Sequence, residues 1–220
     1  VFGSMTFLSR MAGLARDLLQ ASLFGTGAAV SAFVIAYRIP NYLRRIFAEG
    51  SFSSAFVPVL SELRENGDEA QIQDFLNHIA GALLAAVLLV TACGIALSPW
   101  LARLFLLLAD KDSELVALTA AMMRITFPYL AFISMTALAG AVMNSFRHFG
   151  LPAFIPVLHN LAIIFAILVL AQYFEVPAFA LAWGVFLAGL LQFCVMWPAL
   201  RRFGLKPHFK LNFKHPGVQR

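Results

Sequence analysis

Apolar residues run along this chain in long blocks, and four stretches hold no Asp, Glu, Lys or Arg at all. They are Ile79–Ala102, Ile125–Phe146, Phe149–Phe174 and Val176–Leu200. Each is at least as long as the ~20 apolar residues that carry a helix across a bilayer. Charge or a turn signal closes the blocks, as in Phe146-Arg147-His148-Phe149-Gly150 and Phe174-Glu175-Val176-Pro177. The amino-terminal part is equally apolar but carries Arg10, Arg16, Asp17, Arg38, Arg44, Arg45 and Glu49. Gly25-Thr26-Gly27 divides it into two helices, and Gly50-Ser51 leads into a further apolar turn ending near Ser61, followed by an acidic loop over about 62–74. Pro40 and Pro58 bend this second element, and neighbouring helices and side chains satisfy the carbonyls that proline leaves free. The pattern predicts an all-α, polytopic membrane helix bundle of six transmembrane helices. They fall at about 3–24, 28–50, 76–102, 116–146, 152–173 and 177–200, with a basic segment over 201–220. No segment has strand periodicity.

Composition narrows the class further. Hydrophobic residues make up 61% of the chain and charged residues 12%, against about 25% charged in soluble domains. A soluble fold and a disordered chain are both excluded. The net charge of +5 is not gathered into a basic, polar-interleaved surface, so nucleic acid is not an expected partner. Cys93 and Cys194 lie far apart in apolar stretches and read as small hydrophobes without metal or redox roles. No P-loop, nucleophile elbow, paired catalytic carboxylates or metal-ligand spacing occurs, so neither an enzyme nor a cofactor is expected. The chain opens at Val1 within an apolar segment and ends at Arg220 without a boundary signal, which reads as a fragment lacking a cleavable signal peptide.

Loop charge gives an orientation. Six spans put the amino end, the 62–74 loop, the 147–150 turn and the tail on one side, with Arg64, Arg147, Arg201, Arg202, Lys206, Lys210, Lys214 and Arg220. The other side holds Arg103 and Lys111 among Asp110, Asp112, Glu114 and Glu175. The bias predicts a cytoplasmic amino terminus and tail.

Arginines at membrane depth mark the candidate site. A charge near the bilayer centre costs about 2.5–3.5 kcal/mol or more, yet Arg10, Arg16, Arg38, Arg44, Arg45 and Arg124 all fall in or beside spans, with only Asp17 and Glu49 as company. Snorkelling to the interface is the ordinary alternative for Arg38, Arg44 and Arg45. On a regular helix Arg10 and Asp17 lie about 20° apart and Arg16 about 120° from Arg10. Gly13, between them, would permit a bend that aims both arginines into one site. On the second helix Arg38, Asn41, Arg45 and Glu49 share a polar stripe. Two such helices imply a water-filled cavity. The planar guanidinium fork suits phosphate oxygens, so the expected ligand is anionic and phosphate-bearing. His159 with Asn160 either lines the same cavity or forms a hydrogen-bonded structural pair. Asn144 and Ser145 read as caps before the turn, Gly184 and Ala188 as a helix-packing contact, and Trp100, Trp183, Trp197 and Tyr173 as interfacial anchors or packing residues.

The run from Thr6 to Asp17 (TFLSRMAGLARD) resembles the opening helix of the MurJ/MviN family, and so does Phe33–Leu60, with RIPN at Arg38–Asn41, LRRIFAEG at Leu43–Gly50 and AFVPVL at Ala55–Leu60. Arg124-Ile125-Thr126-Phe127-Pro128-Tyr129 and Phe213-Lys214-His215-Pro216-Gly217 extend the resemblance over the whole chain. It implies the amino-terminal lobe of a fourteen-helix, exporter-type flippase of the multidrug/oligosaccharidyl-lipid/polysaccharide superfamily. Such a protein carries lipid II, the undecaprenyl-pyrophosphate-linked peptidoglycan precursor, from the cytoplasmic to the periplasmic leaflet of the bacterial inner membrane by alternating access. By the same resemblance Ser9, Arg10, Arg16, Asp17 and Arg44 would bind substrate, and Arg38, Asn41, Arg45, Glu49 and Arg124 would gate or support. The helix wheel favours Arg45 for the cavity stripe, the resemblance Arg44. Ser31 stands where family members often have Asp. Implied partners are lipid II, membrane lipids and other cell-wall synthesis proteins. The alternatives are another lipid-linked oligosaccharide or drug exporter of the superfamily, or a non-transporting cell-wall scaffold.

Overall fold

Proline, glycine and a few polar side chains decide where the helices of this chain stop. A computed structural model describes residues 2–46, 51–106, 113–202 and 208–209. Its α-helices are α1 (Phe2–Phe24), α2 (Ala28–Arg44), α3 (Ser51–Asn66), α4 (Glu69–Phe105), α5 (Ser113–Thr126), α6 (Pro128–Ser145), α7 (Gly150–Phe165) and α8 (Phe179–Arg202). Gly25, at φ 61°, takes the left-handed conformation that turns α1 into α2. The Asp68 carboxylate accepts the Gln71 N–H at 2.7 Å and caps α4. Pro128, which has no N–H to give, opens α6 and splits the span expected over 116–146 into α5 and α6 in series. α7 continues past Phe165 as a π-helical turn, Ala166–Leu170, and a 3₁₀ turn, Ala171–Tyr173.

Two expectations need correction. The acidic loop placed over 62–74 is helical except at Gly67–Asp68, because Glu62, Leu63, Arg64 and Glu65 are strong helix formers that continue α3. α1 runs unbroken through Gly13, so no unwinding brings Arg10 and Arg16 together. Glu49, the loop around Lys111 and most of the basic tail lie outside the described residues.

Glu69–Phe105, the paired Ser113–Ser145, Gly150–Tyr173 and Phe179–Arg202 are each long and apolar enough to cross a membrane. α1 falls outside that set through its charges, and α2, at 17 residues, through its length. Large apolar side chains such as Leu88, Leu89, Leu97, Leu161, Phe165 and Leu168 are exposed on the outside of the apolar helices. A bundle apolar outside as well as inside is a membrane helix bundle. α8 packs against α5, α6 and α7; α1 rests on α7, whereas α2 rests on α5 and α6. The two arginine-bearing helices therefore stand on different supports. One core gathers Leu60, Leu76, Leu83, Met135, Met143 and Leu200. A second gathers Phe33, Met122, Met123, Phe127, Leu181 and Val185.

The α2–α5 contact shows how a proline is accommodated at membrane depth. Pro40 lies inside α2 and cannot donate to the carbonyl of Ala36 one turn back. Thr126 Oγ of α5 donates to that carbonyl at 3.2 Å and also to Met123 O at 3.2 Å. Beside it the Phe127 ring lies flat on α4 at Gly94, where an added Cβ would come within 2.0 Å of the ring. Thr126→Val should therefore cost about 1–3 kcal/mol, the penalty for an unsatisfied buried polar group. The cost should shrink in a Pro40→Ala background, where residue 40 regains its N–H. Thermal unfolding of the four variants in detergent checks this, and an equal Thr126→Val loss in both backgrounds would refute the pairing.

Candidate functional site

Between α2 and α6 on one side and α7 and α8 on the other lies a cavity of about 670 Å³. Tyr37, Asn41 and Arg44 line it from α2, a single helical face at i, i+4 and i+7. Tyr129, Thr136 and Asn144 line it from α6, His159 and Asn160 from α7, and Gln192 from α8. Arg44 is held in place within its own helix, its Nε donating to Asn41 Oδ1 at 3.2 Å. The Tyr129 ring is tilted against both Tyr37, at 5.9 Å, and His159, at 5.8 Å.

Arg16 enters from α1. Its Nη1 donates to Asn160 Oδ1 at 3.0 Å, and its Nε and Nη2 donate to Asp17 Oδ1 at 3.0 and 2.7 Å. Asn160 Nδ2 in turn donates to the carbonyl of Ser9 at 3.1 Å. One buried amide thus grips α1 at two positions, with Gly13 facing it from between. The imidazole of His159 is within electrostatic reach of both Arg16 and Arg44. The Arg44 guanidinium thus lines the cavity, and the Arg16 guanidinium, which is not part of that lining, is bonded to the Asn160 amide of its wall. Their five-donor forks and the hydroxyl and amide groups nearby suit an anion carrying several oxygens. Among the described residues no cluster of three His, Cys, Asp or Glu could hold a metal ion.

The remaining candidates fall elsewhere. Ser9 reaches the site through its carbonyl. Asp17 is 64% exposed and pairs with Arg16 Nη2 at 2.7 Å. Arg10 shares that exposed face, as the 20° separation from Asp17 requires. Arg38 and Arg45, seven residues apart, occupy an exposed face of α2, and neither lines the cavity. The stripe through Arg38, Asn41, Arg45 and Glu49 is therefore rotated: the inward face runs through residues 37, 41 and 44. Arg124 is exposed on α5. Asn144, expected as a cap, contributes its side chain to the cavity wall, while its backbone carbonyl accepts the Arg147 N–H at 2.9 Å.

Sequence reasoning passed over Tyr37, Tyr129, Thr136 and Gln192. The 37–41–44 spacing was a signal that could have found the first; the others are isolated polar groups in apolar helices. Gln192 Nε2 donates to the carbonyl of Ile155 at 3.0 Å, joining α8 to α7 beneath the cavity.

If Asn160 is the clamp between α1 and α7, Asn160→Ala and Arg16→Ala should be coupled by about 1 kcal/mol or more in a double-mutant cycle read by thermal unfolding. Hydrogen exchange in α1 should rise in both single variants. Additive losses would contradict the clamp.

The chain was compared with known proteins. The family model described as lipid II flippase MurJ matches residues 20–220. The lipid II flippase MurJ of Burkholderia cenocepacia is 41% identical over 219 residues, covering 98% of this chain and 42% of that protein. The probable lipid II flippase MurJ of Haemophilus influenzae is 42% identical, covering 97% of this chain and 43% of that protein. Among solved structures, a lipid II flippase MurJ in an inward closed conformation superposes with a TM-score of 0.81 at 27% identity, over 99% of this chain and 45% of that one. The chain thus spans less than half the length of these relatives. A match over nearly every residue leaves a single conclusion: the chain belongs to the lipid II flippase MurJ family.

Proposed function

We propose that this chain is the amino-terminal, six-helix lobe of a flippase that moves lipid II across the bacterial inner membrane by alternating access. The lobe occupies residues 1–200, and residues 201–220 are a basic linker toward a second lobe. The observation that carries the reading is Arg44 in the lining of a polar cavity, with Arg16, on a separately supported helix, bonded to the cavity-wall residue Asn160. A pyrophosphate presents oxygens to both guanidinium forks, and the fixed partners, Asp17 with Asn160 for Arg16 and Asn41 for Arg44, hold those forks ready. The polyprenyl tail stays in lipid while the lobes rock around the bound headgroup.

In this account α1 and α2 span the membrane despite their charges, because Tyr37, Asn41 and Arg44 meet the cavity and the outward charged faces meet the second lobe rather than lipid. Arg10, exposed on this lobe, completes the cationic site from the α1 face that looks toward the second lobe. Arg38, Arg45, Glu49 and Arg124 gate or support. The amino terminus and the basic tail lie in the cytoplasm, as the loop-charge bias favours.

Placed in the full-length protein, Arg16→Ala or Arg44→Ala should abolish complementation of a strain depleted of its own flippase, at unchanged membrane levels. Leu89→Ala, on the exposed outside of α4, should sustain growth. Normal growth with either cavity variant would remove the site assignment. Residues 1–220 expressed alone should insert yet fail to transport, since half of the cavity is lacking.

A further inference from the structure

A second concave site lies where α6 and α8 end and α7 begins. It holds about 450 Å³ and is bounded by Arg147, His148 and Arg202, with Phe149, Leu151 and Ala199 among its apolar walls. It shares no lining residue with the Arg16–Arg44 cavity. None of its described lining residues is acidic, and the sequence that follows Arg202 contains no Asp or Glu while adding Lys206.

The backbone makes this cluster more than a share of interfacial charge. The α6 terminus is a complete Schellman cap: His148 N–H donates to Met143 O at 2.8 Å and Arg147 N–H to Asn144 O at 2.9 Å. The residue in the left-handed position of that cap is ordinarily glycine. Here it is Arg147, at φ 64°, the one described non-glycine residue with positive φ. A residue with a Cβ is strained there. Arg147 and Arg202, the latter in the last turn of α8, both line the pocket.

We propose that this pocket binds the phosphate of an anionic glycerophospholipid, of the phosphatidylglycerol type, in the leaflet that meets this end of the bundle. The basic groups meet the phosphodiester. The apolar walls and the exposed Phe149 meet the glycerol and the first acyl carbons, contacts a free phosphate could not use. The inference needs only the membrane bundle and stands apart from the proposed transport function.

The test uses the full chain purified in neutral detergent, with dihexanoyl phosphatidylglycerol as the probe and dihexanoyl phosphatidylcholine and inorganic phosphate as comparisons. Bound lipid is counted by native mass spectrometry, and the lipid-dependent shift of the thermal midpoint is recorded. Phosphatidylglycerol should bind in preference to both comparisons. Arg147→Gly with Arg202→Gln should weaken it about tenfold or more. Arg147→Gly alone should leave the lipid-free midpoint equal or higher, because it relieves the strained cap; Arg147→Asn, which also tolerates that conformation, guards against a folding defect. Phosphatidylglycerol affinity within twofold of wild type in the double variant would overturn the proposal. So would equal binding of phosphatidylcholine, or occupancy of the site by inorganic phosphate with the same affinity.

Discussion

A bilayer offers no hydrogen bonds, so a polar group placed within it is costly unless it finds a partner inside the protein. That constraint accounts for most of what is specific about this structure. Pro40 leaves the Ala36 carbonyl without its helical donor, and Thr126 supplies one from the next helix. Arg16 is satisfied by Asp17 and Asn160, and Arg44 by Asn41. Two of these partners also fix a helix: Thr126 ties α2 to α5, and Asn160 ties α1 to α7.

The site follows from these ties. Because α1 is anchored on α7 and α2 on α5 and α6, the helices part after the Gly25 turn, leaving Arg44 in the cavity lining and Arg16 on the Asn160 of its wall. The space between is furnished with tyrosine, histidine and amide groups, which accept or donate without adding negative charge. An anionic headgroup entering there loses its water but gains two oriented guanidinium forks. The outward arginines, Arg10, Arg38, Arg45 and Arg124, lie on faces this half of the protein leaves uncovered. In the proposed two-lobe flippase these faces are not surface.

Much of this was legible in the sequence. The uncharged blocks located four apolar spans because hydropathy integrates over ~20 residues and tolerates local error. The arginines at membrane depth announced the site because charge there is costly. Finer features failed where one residue decides the phase. Arg44 and Arg45 are adjacent and differ by about 100° on the helix; the helix wheel alone favoured Arg45, whereas the resemblance favoured Arg44, the residue that lines the cavity. Gly13 read as a hinge, but it faces a buried amide on another helix, a contact no local pattern reveals. The Thr126 bond to α2 spans 90 positions and was expected only as a class, some side chain satisfying a carbonyl freed by proline.

The central claim is that Arg16 and Arg44 together grip a pyrophosphate. Its most direct test is the affinity of the purified full-length protein for lipid II and for undecaprenyl phosphate, with and without Arg16→Ala and Arg44→Ala. The account predicts that the wild type prefers the diphosphate headgroup and that each substitution weakens lipid II binding about tenfold or more. Affinities for lipid II unchanged by both substitutions would contradict it.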